Sequence, residues 1–259
     1  MKKYLTIFIL SLKNEKKFQF DFLFSLIAVP LQLMVTILFW QKVLPTTDTQ
    51  LTQKALITYF LFLEILQIGF SPAQMVTFEL WNEVNNGTVI TWLNRPINYP
   101  VSIYMQKLAI FLFQGLLPLS TIGSLFVLSD KMTIGSLFLG LLAALLGFSL
   151  LFCIQFVIGC LSFWTRNVIV LRDVIMSIFF ILGGLILPLE LTPSIIQTIA
   201  FYTPVSYVYY FPAKILTNSF SEIQLLSTLG IQILWLLIFL ITIHILWRMG
   251  TQDRITFGA

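Results

Sequence analysis

The sequence predicts an all-α integral membrane protein, and its composition, its apolar runs and the placement of its basic residues support that prediction. Of 259 residues, 58% are hydrophobic and only 10% are charged. Soluble domains carry about a quarter charged residues, so this chain has too few to cover a surface in water. The apolar runs are long and continuous rather than short and alternating, which argues against an outer-membrane barrel.

Six apolar runs are each long enough to cross the hydrocarbon core of a bilayer, which takes about 20 helical residues. They cover approximately Phe22–Val43, Ala55–Met75, Val101–Leu128, Ile134–Trp164, Val168–Leu189 and Ile223–Trp247. Little chain remains for a soluble domain, so we expect a single transmembrane domain over residues 1–259.

The basic residues predict the orientation of these spans. If the N-terminus lies inside, eleven of the 15 basic residues also lie inside: Lys2, Lys3, Lys13, Lys16, Lys17, Arg95, Lys107, Arg166, Arg172, Arg248 and Arg254. The other four lie outside: Lys42, Lys54, Lys131 and Lys214. Because Lys and Arg accumulate on the cytoplasmic side, both termini are predicted to be cytoplasmic.

Residues 1–17 resemble a signal peptide only superficially. The apolar stretch after Lys2 and Lys3 is short, and further lysines follow it instead of a cleavage site. Apolar residues fall at helical spacing on one face: Leu5, Phe8, Ile9 and Leu12. The segment is therefore predicted to be an interfacial helix on the lipid bilayer, with its lysines toward the headgroups.

The most informative feature is the polar segment of residues 78–100, which lies between the second and third spans. Glu79, Glu83 and Asn86 follow helical spacing, and Gly87 is expected to end or cap that helix. An apolar cluster comes next, formed by Val89, Ile90, Trp92 and Leu93, and Arg95-Pro96 closes the segment. Exposed apolar residues with a polar rim predict a partner-binding surface. The alternative is a surface helix that lies against the membrane.

The connection before the sixth span, residues 190–213, is too apolar for a free loop, and its prolines exclude one long helix. Short external helices that dip into the outer leaflet would fit, and so would an ordinary belt of aromatic residues at headgroup depth.

Glu64 stands in the middle of the second span, with Gln67 nearly one turn later. A carboxylate at that depth costs about 3 kcal/mol on insertion scales, so it must face protein or water, or carry a proton. It is expected on a substrate pathway or at a seam between two subunits. A local hydrogen bond between helices is the alternative.

Several chemistries have no support in the sequence. No Gly-Lys dipeptide occurs, so the chain has no phosphate-binding Walker loop. The single histidine, His244, has no cysteine or carboxylate beside it, and Cys153 and Cys160 are expected to be small buried apolar residues. We therefore expect no catalytic residues, no metal site and no binding of nucleic acid.

The spacing of Gly87 and Leu93-Asn94-Arg95-Pro96 before a span resembles the G-x5-L-x-R-P signature of ABC-2 class permeases, the transmembrane subunits of ATP-binding cassette exporters. The basic start, the six spans and the external helices extend the resemblance over most of the chain. It implies that residues 78–100 include a coupling helix that fits a groove on an ATPase. The candidate coupling residues are Glu79, Glu83, Asn86, Gly87, Trp92, Leu93, Arg95 and Pro96.

The resemblance also implies partners and a location. Such permeases pair with a second permease subunit, identical or related, and recruit two copies of a separate ATPase subunit, which binds ATP and Mg²⁺. They export drugs, peptides, lipids or glycans across a bacterial-type cytoplasmic membrane. The chain itself would bind no cofactor.

Three other functions stay open. An ion-coupled secondary transporter would need ionisable residues at the midplane and usually a repeated half-structure, whereas Glu64 is a single residue. A membrane-embedded enzyme would need clustered reactive groups. A non-transporting assembly or immunity factor would function without any ATPase.

Overall fold

The fold is a bundle of helices, seen in a computed structural model that describes residues 2–15, 19–43, 53–129, 132–217 and 222–257. No β-strand occurs among these residues. In chain order the helices are α1 (Lys2–Glu15), α2 (Gln19–Val43), α3 (Gln53–Gln74), α4 (Val76–Asn85), α5 (Val89–Leu93), α6 (Tyr99–Phe111), α7 (Leu117–Leu128), α8 (Ile134–Cys160), α9 (Val168–Leu182), α10 (Ser194–Tyr202), α11 (Tyr210–Leu216) and α12 (Glu222–Phe257). The predicted all-α class is thus seen throughout the described chain.

Within the described chain, four helical runs are long and apolar enough to cross a membrane: Gln53–Asn85, Tyr99–Leu128, Ile134–Phe163 and Gln224–Gln252. They correspond to the predicted second, third, fourth and sixth spans. The predicted first span coincides with the 25-residue helix α2. Six crossings remain a prediction.

The predicted end of the fifth span is wrong. Helix α9 stops at Leu182 after 15 residues, which is about 22 Å at 1.5 Å per residue. Gly184 then takes a φ of +72°, a left-handed conformation that glycine adopts without a steric penalty. A Cβ at this position would also lie 2.6 Å from the Tyr59 hydroxyl, so both backbone and packing require glycine.

Helix α8 forms the centre of the bundle and packs against α3, α4, α11 and α12. Its small residues allow these close contacts. A Cβ added at Gly147 would lie 2.7 Å from the carbonyl oxygen of Val208, and one added at Gly140 would lie 2.5 Å from Leu216. Close backbone approach replaces the hydrophobic effect as the source of helix association inside a bilayer.

A second close approach lies where α3 crosses the line of α6 and α7. One π-helical turn, Leu112–Leu116, joins α6 to α7 and packs against α3. A Cβ added at Gly69 would lie 2.5 Å from the Cα atom of Gly115. The two backbones therefore touch here, with no side chain between them.

The segment of residues 190–213 contains α10 and the start of α11, joined by turns. Its rings do not form a surface belt: Tyr207, Tyr209, Tyr210 and Phe211 are all buried. The Gln232 amide of α12 holds this segment in place by donating to the carbonyls of Tyr207 (2.8 Å) and Ala143 (2.9 Å). These four rings therefore do not belong to a surface belt, whereas Phe201 and Tyr202 of the same segment are exposed, so the aromatic-belt alternative stays open.

An ion pair between Lys214 and Glu190 also stabilises this segment. Tyr210 hydrogen-bonds to the same carboxylate. Burial, and secondarily the charge of Glu190, raises the pKa of Tyr210, so its hydroxyl stays protonated and acts as the donor.

Helix α1 packs along α6. The Tyr4 hydroxyl accepts a hydrogen bond from the backbone N–H of Asn98 (2.9 Å), and Lys3 donates to the carbonyl of Pro96 (3.3 Å). Lys3 therefore contacts protein, although the sequence predicted only headgroup contacts. The predicted single apolar face is divided, because Leu5 and Ile9 are exposed whereas Phe8 and Leu12 are half-buried. Lys16, Lys17 and Lys131 lie outside the described residues.

Candidate functional site

The candidate site is the connection between α3 and α6, at the end of the molecule where α1 lies; we call this the α1 end. Helix α4 continues the line of α3 past Met75, whose backbone is itself helical, and ends at Asn85. Gly87 follows with a φ of +72° and nothing within 4 Å of an added Cβ. The predicted helix break at Gly87 is therefore confirmed, and its cause is the backbone conformation alone.

After this break, the chain forms α5 and a short turn, and then enters α6 through a capped N-terminus. The Asn98 side chain accepts a hydrogen bond from the backbone N–H of Val101 (3.2 Å), and Pro100 occupies the first turn of the helix. Both features are typical of helix starts. Residues 86–98 thus form a compact connection between two long helices.

Glu79 faces α6. Its carboxylate pairs with the Lys107 ammonium at 2.5 Å, and Lys107 is only 8% exposed. A lysine this deep in the protein needs a partner to compensate for lost hydration. The structure therefore places the carboxylate of Glu79 in an intramolecular contact, whereas the sequence assigned it to a partner ATPase.

Glu83 faces the same way and connects three parts of the chain. Its carboxylate faces the side chains of Tyr99 and Trp92. The ring of Tyr99 stacks on Trp247 of α12, with centroids 4.9 Å apart and planes only 4° from parallel. Tyr99 therefore lies between Glu83 of α4 and the last helix.

The apolar cluster predicted to be exposed is divided between the core and the surface. Val89 is 3% exposed and belongs to the core, whereas Ile90 is 53% exposed. Trp92 and Leu93 are half-buried. The prediction of four exposed apolar side chains is therefore wrong, because the short helix α5 uses one face to close the bundle.

Arg95 stacks over the ring of Trp92, with its guanidinium carbon 4.5 Å from the ring centroid. This cation–π contact holds the arginine on the outer face of the connection. The exposed residues of this face are Asn82, Asn85, Asn86, Gly87, Thr88, Ile90, Thr91, Asn94, Arg95 and Pro96. Asn86, Gly87, Arg95 and Pro96 are thus the predicted coupling residues that the structure leaves most open to a partner.

The inner face of α4 is anchored to α8 and to the chain that follows it. The Thr77 hydroxyl donates to the Gln155 carbonyl at 2.7 Å, and the Trp81 indole donates to the Arg166 carbonyl at 2.9 Å. Gly159 of α8 lets the side chain of Leu80 approach closely. The outer face of the connection is therefore supported by α4, which is anchored in its first turn by Thr77 and in its second turn by Trp81.

Glu64 and Gln67 lie elsewhere, on α3 at mid-length. Glu64 is 5% exposed and faces Gln32 of the neighbouring helix α2. Gln67 is half-buried. Both interpretations of Glu64, a contact between helices and a place on a pathway or subunit seam, stay predictions.

Sequence reasoning missed the residues that support the connection from behind. Tyr99 and Trp247 were assigned no role, Lys107 served only to predict the orientation, and Tyr4 was not singled out. Contacts between residues 99 and 247 span most of the chain, and no local pattern signals them. The only usable signal was the cost of burying Lys107 in an apolar run, which requires a nearby carboxylate.

Two comparisons with known proteins bear on this chain. A family model described as "ABC-2 family transporter protein" matches residues 26–253. The match covers most of the chain and includes the whole connection between α3 and α6. No curated protein matches.

Proposed function

The chain belongs to the ABC-2 family of transporter proteins, and from that premise we propose that it is the permease subunit of an ATP-driven exporter. The cargo would be an amphipathic or hydrophobic molecule such as a drug, peptide, lipid or glycan. A separate ATPase subunit, present in two copies, would bind ATP and Mg²⁺. A second permease, identical or related, would complete the transport path.

One observation carries the proposal of a coupled ATPase. The connection between α3 and α6 has an exposed outer face, while its inner side contacts α6 through Glu79 and Glu83, α12 through the Tyr99 ring, and the Arg166 carbonyl through Trp81. A partner that pushes on the outer face would therefore move α4, α6 and α12 together. A flexible loop could not transmit such a displacement.

The chemistry of the outer face suits a protein partner. Ile90 offers an exposed apolar side chain, and Arg95 offers a guanidinium already oriented by Trp92. Arginines held in this way lose little conformational freedom on binding, so they bind carboxylates efficiently. ATP binding would drive transport only if the ATPase dimer has different affinities for two permease conformations.

We further propose the arrangement in the membrane. Helices α2 and α9 would complete six crossings, with the α1 end and both termini in the cytoplasm of a bacterial-type cell. This orientation puts Lys3, Arg95, Arg166 and Arg248 on the inner side, in agreement with the positive-inside rule. Glu64 and Gln67 would lie on the transport pathway or at the seam between permeases.

The first experiment is purification of the protein from native membranes in mild detergent, followed by mass spectrometry of the associated proteins. We expect a stoichiometric subunit with a Walker motif. Leu93→Ala combined with Arg95→Ala should release it. The matched control is Leu182→Ala with Lys54→Ala, which also removes a half-buried leucine and an exposed cation, but far from the α1 end. Retention of the ATPase by the first variant would contradict the coupling proposal.

Glu64 gives one alternative function a specific basis, since a buried carboxyl group in a membrane-spanning helix could carry protons. An ion-coupled transporter would lose transport on addition of a protonophore and would ignore ATP depletion. This alternative would be favoured if the chain purifies without an ATPase subunit in several detergents and also shows that response. Activity without any ATPase or gradient would instead indicate an assembly or immunity factor.

A further inference from the structure

A cleft of about 240 Å³ lies between α6, α8 and α12, apart from both the connection and Glu64. Its walls include Pro100 and Tyr104 of α6, Ser149 and Cys153 of α8, and Ile243 of α12. It opens toward the outside of the bundle, because the rim residues Val101 and Leu240 are 38% and 48% exposed.

The cleft wall offers almost no free hydrogen-bonding group. The hydroxyls of Tyr104 and Ser149 bond to each other at 2.8 Å, and Ser149 also donates to the Leu145 carbonyl at 2.8 Å. A polar ligand would lose hydration here without compensation, whereas hydrocarbon would not.

Positive charges lie beside the cleft, so a molecule whose apolar part fills the cleft would be favoured if its polar end is anionic. Arg248 is exposed and follows Leu240 by two turns on α12, toward the α1 end. Lys3 donates to the Pro96 carbonyl, four residues before the cleft residue Pro100, and its ammonium has further N–H groups to donate. Both cations thus lie on the side of the cleft that faces the α1 end.

We propose that this cleft binds one acyl chain of an anionic glycerophospholipid, whose phosphate lies against Arg248 and Lys3. The site takes its lipid sideways from the bilayer. It does not depend on ATP or on an ATPase subunit, so it can be tested whether or not the coupling proposal holds.

The test is lipid retention by the full chain, with any subunit that co-purifies. The protein is reconstituted in nanodiscs of equal parts phosphatidylglycerol and phosphatidylcholine, extracted in mild detergent and analysed by native mass spectrometry. We expect the natural sequence to retain phosphatidylglycerol preferentially. Leu240→Trp should fill the cleft and lower this retention about tenfold, equivalent to about 1.4 kcal/mol.

The matched control is Leu237→Trp, which places the same ring one turn earlier on α12, at an exposed residue outside the cleft. It should retain lipid like the natural sequence. Val101→Trp fills the cleft from the opposite rim, and serves as the readout if Leu240→Trp does not fold. Equal retention by the cleft and control variants, or no retained lipid in the natural sequence, would overturn the proposal.

The headgroup contact has its own readout. Arg248→Gln combined with Lys3→Gln should leave total lipid retention intact and remove the preference for phosphatidylglycerol over phosphatidylcholine. A preference that survives both substitutions would refute the assignment of the phosphate to these two cations.

Discussion

The stack of Tyr99 on Trp247 makes the strongest quantitative prediction, because one ring serves two contacts that can be removed separately. Tyr99→Phe removes the hydroxyl that bonds Glu83 and leaves the stack. Tyr99→Ala removes both. The two variants therefore separate the polar link to α4 from the aromatic link to α12.

The magnitudes follow from burial. Tyr99 is 3% exposed, so its truncation to alanine should lower the free energy of unfolding by about 3–5 kcal/mol, as for other large aromatic residues. Loss of the hydroxyl alone should cost about 1 kcal/mol. It is not smaller, because one carboxylate oxygen of Glu83 is already buried without a hydrogen bond, and removal of the Tyr99 hydroxyl would leave the other with less compensation.

The assay is denaturant titration of the purified protein in lipid–detergent micelles, for the single variants Tyr99→Ala and Trp247→Ala and for the double variant. A near-parallel stack at 4.9 Å should give a coupling energy of about 0.5–1.5 kcal/mol beyond the separate losses of buried area. The second readout is ATPase stimulation in the assembled transporter, which Tyr99→Phe should reduce less than Tyr99→Ala.

Two results would refute this reasoning. Additive losses in the double variant would mean that the two rings do not stabilise each other. Equal losses for Tyr99→Phe and Tyr99→Ala would mean that the hydroxyl carries the whole effect, and that α12 is not linked through this ring.

Glu79→Gln leaves the Lys107 ammonium without its partner. The free energy of unfolding should fall by about 1–3 kcal/mol, because partial exposure of the carboxylate reduces the effect. Adding Lys107→Met should restore stability in the same titration. Gly87→Ala should cost only about 1–2 kcal/mol, because its penalty is the left-handed backbone alone, whereas Gly69→Ala should prevent stable packing because its Cβ would meet the Gly115 backbone. Equal losses of stability on thermal unfolding would contradict this contrast. Gln232→Leu removes the side-chain hydrogen bonds to the carbonyls of Tyr207 and Ala143; because Ala143 lies inside α8 and keeps its helical hydrogen bond, the loss should be only about 1 kcal/mol, and an unchanged unfolding midpoint would mean that these hydrogen bonds contribute nothing net.

Much of the fold could be predicted because long apolar runs and glycine positions are local signals. The helix of residues 134–163, the break at Gly87 and the cap before α6 all follow from neighbouring residues. The end of α9 was misplaced because an apolar sequence continues past Leu182, although the glycine pair that follows Leu182 was a local signal for a helix end.

The candidate site was predicted by position more than by contact. Its outer face follows from polarity and the Gly87–Pro96 spacing, whereas its inner face depends on residues distant in sequence. Helical spacing correctly gave Glu79 and Glu83 one shared face, but it wrongly included Asn86, which follows the end of α4 and is exposed on the outer face. Helical spacing could not predict that this face contacts Lys107 and Tyr99. Periodicity shows which residues share a face of one helix, but it does not show which other helix packs against that face.

The bare backbone crossing at Gly69 and Gly115 gives the run Gln53–Asn85 the geometry of a lever. Sixteen residues separate Gly69 from each end of that run, about 24 Å at 1.5 Å per residue. The Phe111 ring packs beside both glycines, so a tilt about this point would also have to displace that ring. If α3 and α4 tilt together as one rod, a displacement applied at Asn85 would reappear at Gln53 with equal size and opposite direction.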